Sequence, residues 1–312
     1  MVRVTGTVGE SIARVEAAAA ELKELARRDE PIGLKTTYRT GGTAALFVEI
    51  ASAATLEAVA CAVAKSGVGV LALGRGSNLL VADSGFAGLC VSLAGDYAGL
   101  ELRDDGLARA GGGLDYPVLA RRSAAAGRTG MEWAVGIPGS VGGAVVMNAG
   151  GHGAETKDRL VSTLVLDLAR GEAAEWSNSA LTFAYRRSAL GAHHLVLSAT
   201  YQLAEGDPAR SADTMSEIVA WRRAHQPGGR NAGSTFSNPP GDAAGRLIEV
   251  AGLKGMRVGS AQVSEKHANF VQSDTNGSAD DVFRLISEVR RLVLERCGVE
   301  LSLELRTVGE FR

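Results

Sequence analysis

Apolar residues recur at helical spacing through Ile12, Val15, Ala18, Ala19, Leu22 and Leu25, with charges between them, and predict an amphipathic helix over residues 11–28. Residues 45–50 read as a strand, 55–66 as a helix stopped by Gly67, and 68–73 as a short apolar strand. Runs at 100–103 and 107–110 predict a hairpin, 160–168 and 172–176 a second one turned at Arg170 and Gly171, and 195–203 a further strand. The pattern then returns to helical period over 211–225, ending before Pro227, and over 242–251. A longer helix runs from Ser278 to Cys297, with Val282, Leu285, Ile286, Val289, Leu292 and Val293 as its buried stripe and Gly298 as its stop. Ser278-x-x-Asp281 resembles a capping box with Asp in place of the usual Glu. Residues 301–308 close the chain as a strand, Glu304 and Arg306 on one face and Leu303 and Leu305 on the other. The succession is α+β, and the polar stretch 205–210, with Gly206 and Pro208, is the expected domain boundary.

Several stretches fit neither period. Residues 130–153 hold eight glycines and almost no charge, a composition that suits neither a helix nor an ordinary strand and that reads as main chain laid against a large flat ligand; a glycine-rich buried turn is the alternative. Gly74-Arg75-Gly76-Ser77-Asn78 follows a strand and can present backbone N–H groups and a hydroxyl to phosphate oxygens. Because Leu79 stands where a dinucleotide fingerprint has its third glycine, a Rossmann fold is disfavoured. Together with Arg39, Gly41 and Gly42 and the triplet Gly111 to Gly113, these turns suggest a bound dinucleotide, against a merely turn-rich domain. Phe183-Ala184-Tyr185-Arg186-Arg187-Ser188 is too polar for a core strand and too aromatic for a linker, so it offers a guanidinium to a carboxylate or is a solvated basic loop. In the polar loop 230–240, Ser234 is a reactive hydroxyl or a turn serine.

Composition narrows the classes. With 46% hydrophobic and 22% charged residues in 312, the chain can bury a sizeable core in two or three domains. A net charge of −2 offers no electrostatic reason for nucleic acid or an anionic membrane as partner. Forty glycines against seven prolines, without collagen period, point to many ligand-approaching loops. Cys61, Cys90 and Cys297 are expected to be reduced core residues of a cytoplasmic protein, not a disulfide frame or metal site. No early stretch has a signal-peptide pattern, and no apolar run is long enough to span a bilayer. Metal is not expected: His193 and His194 are adjacent, cannot easily share an ion from a strand, and lack a nearby acid in the sequence.

In order and spacing, these stretches resemble the UDP-N-acetylenolpyruvoylglucosamine reductase family, in its shorter type. The matching segments are T-T-Y-R-T-G-G from Thr36, G-R-G-S-N-L-L from Gly74, G-I-P-G-S-V-G-G from Gly136 with M-N-A-G from Met147, and Y-R-R-S from Tyr185. They continue with Gln226-Pro227, N-A-G-S-T-F from Asn231, A-G-L-K-G from Ala251, V-S-E-K-H-A-N-F from Val263 and L-x-x-E-L-R from Leu301. The resemblance implies an FAD-binding domain of the vanillyl-alcohol-oxidase type over residues 1–207, in two subdomains meeting near 85–95. It further implies a smaller α+β substrate domain over 208–300 and a C-terminal strand over 301–312.

It also implies the chemistry. NADPH reduces a non-covalently held FAD, and hydride then passes from flavin N5 to the enol ether of UDP-N-acetylglucosamine enolpyruvate, a step in cell-wall precursor synthesis. By the resemblance, Arg186 and Glu304 stabilise the charge developing on the substrate and Ser234 delivers the proton. The cofactor residues it implies are Arg39, Gly41, Gly74, Arg75, Gly76, Ser77, Asn78, Leu79, Gly136, Ile137, Pro138, Gly139, Ser140, Gly142, Gly143, Asn148 and Ala149. Tyr185, Asn238, Lys266 and His267 are implied as substrate-binding, with a structural loop role the alternative for the last two. The chain departs from the family pattern at His152, Ser237 and Ser302, and Leu303 replaces a proline, which leaves room for a paralogue with another substrate. A flavin oxidase with covalent flavin is disfavoured because no histidine precedes residue 150. A non-catalytic nucleotide-binding relative is disfavoured because Arg186, Ser234 and Glu304 are all present. The expected state is a monomer or weak homo-oligomer.

Overall fold

The computed structural model describes residues 8–312. The first sheet has the order Arg27–Glu30, Ala44–Ile50, Phe86–Leu93, Val70–Ala72; the last three strands are parallel and the first is antiparallel. Helices α1 (Val8–Leu22) and α2 (Ala53–Ser66) bury Val15, Ala18, Leu22, Val59 and Ala62 against Leu46, Val48, Leu89 and Val91. The Ser52 hydroxyl caps α2 by accepting from the Thr55 N–H, and Gly67 ends it at φ 63°. The first helix is shorter than its apolar spacing predicts. It gives way at Lys23 to a 3-10 turn, and Arg27 and Arg28 pair with Phe47 and Leu46 as an edge strand. Edge pairing satisfies the backbone groups of these residues with the neighbouring strand in place of helical i→i−4 bonds.

The second sheet is antiparallel, in the order Glu172–Ser177, Leu160–Asp167, His194–Gln202, Leu107–Gly111, Leu100–Leu102. Its core contains Tyr116 and Leu119 of α3 (Tyr116–Ala125) and Val141 and Val145 of α4 (Val141–Met147). The glycine-rich window therefore does contain a helix, α4. Ser140 caps it by accepting from Gly143 N–H, and Gly142 and Gly143 occupy its first turn, where a missing side chain lets the helix approach the backbone of Gly112 and Val196. Helix α5 (Pro208–His225), which the polar boundary assigned to the following unit, packs on the 3-10 turn Glu132–Gly136 and adds Ile218 to this same core.

The third unit is a three-stranded antiparallel sheet, Arg257–Val258, Ala261–Val263 and Val271–Ser273, under α6 (Ala244–Val250) and α7 (Ala279–Cys297). Ser278 caps α7 through its hydroxyl, but the box is not reciprocal. Asp281 accepts instead from the N–H and hydroxyl of Ser260, whose oxygen takes the Ser278 N–H, so a neighbouring loop supplies the second arm. Asp83, from the first unit, also accepts from the Ala279 and Asp280 N–H groups.

At the chain end only Arg306–Val308 forms a strand, parallel to Leu79–Val81, with a single bridge from Leu303 to Phe236 before it. Leu305 is buried with Tyr38 and Leu80, whereas Leu303 is 37% exposed, so the expected apolar face is half formed. Of the cysteines, Cys90 is buried, Cys297 intermediate and Cys61 exposed, which corrects the expectation that all three are core residues; all are free. Among the described residues, no helix is long and apolar enough to cross a membrane.

Candidate active site

The glycine turns converge on one cavity of ≈ 710 Å³, within the range of about 300–1,000 Å³ usual for ligand sites. Gly74 to Leu79 form one wall, Ile137 to Ser140 with α4 a second, and Gly112 and Gly113 the floor. The glycines allow the walls to meet. A Cβ on Gly74 would stand 2.4 Å from Ser140 Oγ, and one on Gly112 would stand 1.9 Å from the Val196 carbonyl. Ser77 Oγ ties the walls by donating to the Pro138 carbonyl at 2.8 Å, and an Arg75–Asp115 ion pair lies across them. Part of the glycine density thus answers to loop-on-loop packing and not to a ligand.

The cavity lining includes Arg186, Ser234 and Glu304. Arg186 sits in a two-residue turn closed by reciprocal N–H···O bonds between Ala184 and Arg187, at φ 57°. A non-glycine residue held there costs roughly 1–3 kcal/mol and persists only where its surroundings over-determine it. Those surroundings are specific: Nε donates to Glu304 Oε1 at 3.1 Å, one terminal nitrogen donates to the Gly150 carbonyl at 3.1 Å, and the other lies 3.6 Å from Glu155 Oε1. The guanidinium also lies over the Tyr185 ring, 4.6 Å from its centroid.

Glu304 is placed by backbone. Its N–H donates to the Thr235 carbonyl at 3.0 Å, its carbonyl accepts from Asn78 Nδ2 at 3.0 Å, and the Asn78 carbonyl accepts from Arg306 N–H at 3.1 Å. Burial pushes the Glu304 carboxyl above the usual range, against the opposing pull of Arg186. Ser234 follows Gly233, whose φ is 76° and whose N–H donates to Asn231 Oδ1. After it the loop is clamped by Asn269, which accepts from Thr235 N–H through its carbonyl and holds both backbone groups of Phe236 through its side chain.

Two arginines not anticipated as site residues complete the lining, Arg222 at the end of α5 and Arg306 on the last strand. Burial lowers the pKa of both, and among the described residues neither has a carboxylate within ion-pair distance. A desolvated cation without a counter-charge is costly unless a ligand supplies one, so the cavity suits an anion such as a phosphate group. The Arg306 signal was present in the alternation with Glu304; Arg222 carried none, because α5 was placed in another unit. Trp221 and His152 meet edge to face at the same wall, ring centroids 5.2 Å apart.

Other expected positions lie elsewhere. Arg39 is exposed and its carbonyl accepts from Arg230, while Gly41, at φ 106°, lets the chain pass the Val81 carbonyl; neither lines the cavity. Gly136 packs against Arg222 and Ile218 behind the wall. Asn148 is fully buried, donating to Glu155 Oε2 and the Ala184 carbonyl, and so supports the Arg186 turn from outside. Lys266 donates to the Arg223 carbonyl and His267 packs on Phe270, so neither reaches the cavity, whereas Tyr185 and Asn238 do. His193 and His194 do have an acid nearby: Asp167 pairs with His194 across the sheet, and its carboxylate lies 3.9 Å from His193 Nε2. Strand pairing supplied what the linear order lacked.

Residues 225–308 match the UDP-N-acetylenolpyruvoylglucosamine reductase C-terminal domain, and residues 44–177 match an FAD binding domain. The UDP-N-acetylenolpyruvoylglucosamine reductase of Rubrobacter xylanophilus is 43% identical over 288 residues, covering 91% of this chain and 96% of its own. The chain belongs to the UDP-N-acetylenolpyruvoylglucosamine reductase family. The homologue from Acidiphilium cryptum is 42% identical over 94% of each chain. The crystal structure of the Thermus caldophilus reductase superposes with a TM-score of 0.78 at 34% identity, covering 91% of this chain and 99% of that one. Physcomitrella patens BBE-like 1, at 15% identity and a TM-score of 0.54, shares the fold. This member of the reductase family is an FAD-containing oxidoreductase of the α+β architecture expected. The glycine-lined cavity with two unpaired guanidiniums fits that dinucleotide. Of the family departures only His152 lines the cavity; Ser237 donates its N–H and hydroxyl to the Ser302 carbonyl away from it.

Proposed function

We propose that the protein reduces UDP-N-acetylglucosamine enolpyruvate to UDP-N-acetylmuramate at the expense of NADPH, in the cytoplasm. What supports this reading is that Arg186, Glu304 and Ser234 all line one cavity, with Glu304 bonded to Arg186 through its carboxylate and to the carbonyl of Thr235, the residue after Ser234, through its N–H. Bound FAD, once reduced, supplies the hydride for the terminal carbon of the enol ether. The neighbouring carbon and its carboxylate then gain negative charge, and the protein's task is to hold that charge and provide a proton.

Arg186 offers the planar fork that a carboxylate accepts in two parallel bonds, with its Nε already committed to Glu304. Glu304, whose proton affinity burial raises against the pull of Arg186, donates a hydrogen bond to the charge-bearing oxygen when it holds its proton. The Ser234 hydroxyl transfers its proton to the adjacent carbon. A serine is a weak acid, and the transfer is feasible because the acceptor is a strongly basic carbon stabilised only in part by Arg186 and Glu304. Arg222 and Arg306 neutralise phosphate groups, and Tyr185 and Asn238 border the substrate end. Gly74 to Asn78, Ile137 to Ser140 and Ala149 cradle the cofactor.

An anaerobic titration tests the proposal. Flavin absorbance should bleach on addition of NADPH and recover stoichiometrically on addition of the enolpyruvyl sugar nucleotide. Bleaching without recovery would overturn the substrate assignment, with His152 the first position to examine.

A further inference from the structure

The Arg186 guanidinium is contested. Glu304 Oε1 takes Nε at 3.1 Å, while Glu155 Oε1 draws one terminal nitrogen from the other side at 3.6 Å. Glu155 does not line the cavity and is fixed from behind. Its Oε2 accepts from Nδ2 of the fully buried Asn148 at 3.0 Å and lies 2.9 Å from Lys157 Nζ, and its N–H donates to Asp158. Asn148 also donates to the carbonyl of Ala184, the first residue of the turn that carries Arg186, and accepts from Lys157 N–H. Acid and turn are therefore registered by one buried amide.

We propose that Glu155, anchored by Asn148, is a positioning residue that divides the Arg186 guanidinium between two carboxylates, so that Glu304 remains a hydrogen-bond donor during turnover. The inference rests on the reading of Glu304 as the neutral donor. Arg186 is the charged group that lowers the Glu304 proton affinity, in opposition to burial. Arg306 stands two residues along the same segment, and Lys157 and Asp158 stand behind Glu155. His152 lines the same cavity. A negative charge on Glu155 offsets the Arg186 field at Glu304 and also disfavours a second anion beside it. Both effects favour the protonated form. Removing that charge gives Arg186 wholly to Glu304 and promotes ionisation.

The test uses the FAD-loaded enzyme and two readouts. Glu155→Gln keeps an acceptor for Asn148 and removes the charge, and with it the ion pair to Lys157. The protonated Glu304 carboxyl is followed by infrared difference spectroscopy across pH, its band assigned by its loss in Glu304→Gln. Reoxidation by the enolpyruvyl substrate is measured over the same range, with reduction by NADPH as internal reference. In Glu155→Gln the titration midpoint should fall by about one pH unit, a modest value for one nearby charge. Reoxidation above that midpoint should fall about ten-fold, and Glu155→Asp should restore most of both. An unchanged midpoint in Glu155→Gln overturns the proposal while leaving Glu304 as donor. A Glu304→Gln enzyme that reoxidises at the parent rate would remove the reading on which the proposal rests.

Discussion

Arg186 Nε and Glu304 Oε1 meet at 3.1 Å across 118 positions of sequence. The arginine reaches that point from a left-handed backbone conformation, and the glutamate is buried at the cost of its ionised form. Two locally unfavourable states stabilise each other, and the pair faces the cavity instead of the core. Arg186→Lys keeps the charge and loses the fork. It should reduce the rate of reoxidation by the enolpyruvyl substrate by about 10²–10³, the effect of losing a preorganised donor, as measured by stopped-flow absorbance.

Ser234→Ala should separate the two halves of the reaction. Reduction by NADPH is expected to proceed as in the parent, while reoxidation by substrate falls by about 10²–10⁴, the usual contribution of a positioned proton donor. Equal slowing of both halves would rule out that role.

The raised proton affinity of Glu304 sets the sign of a pH effect. The carboxyl keeps its proton above the ordinary glutamate range, and the donor is lost as pH rises through the folded-state pKa. The reoxidation rate should fall along that limb, and the limb should be missing in a Glu304→Gln enzyme of lower but flatter activity. A pH series of single-turnover rates distinguishes the two profiles.

Arg222 and Arg306 are desolvated without acidic partners among the described residues. Replacing Arg306 by Met should leave the melting temperature of the FAD-free protein equal or higher, because an uncompensated cation is removed. FAD or substrate affinity should fall by about 10–100-fold, matching about 1.5–3 kcal/mol for a charged hydrogen bond. Calorimetric titration with each ligand will tell which of them the guanidinium serves.

Gly74 is required by its neighbour. Gly74→Ala puts a Cβ 2.4 Å from Ser140 Oγ and should destabilise the fold by about 1–3 kcal/mol, as overpacking does. Combining it with Ser140→Gly should recover part of that loss, less the small cost of the weakened α4 cap. A double-mutant cycle of denaturation midpoints measures the coupling.

Periodicity by itself determined the elements that carry their own signals: α2 between Ser52 and Gly67, the buried stripe of α7, and the hairpins at 100–111 and 160–177. These depend on i to i+4 contacts, caps and tight turns, which lie within a few residues. Local pattern singled out Arg186 and Ser234 but left a structural alternative open for each, and only the resemblance attached roles to them and to Glu304, since a lone arginine, serine or glutamate has no decisive local signature. Tertiary structure decided the remainder. It turned Arg27 and Arg28 into an edge strand, moved α5 onto the core of the second sheet and with it brought Arg222 to the cavity, and set Asp167 beside His193. It also buried Asn148 outside the cavity lining, bonded to Glu155 and the Arg186 turn. The reason is common to all of these. Burial, desolvation and counter-charge are properties of the space around a side chain, and residues hundreds of positions apart, such as Asn78 and Glu304, create that space.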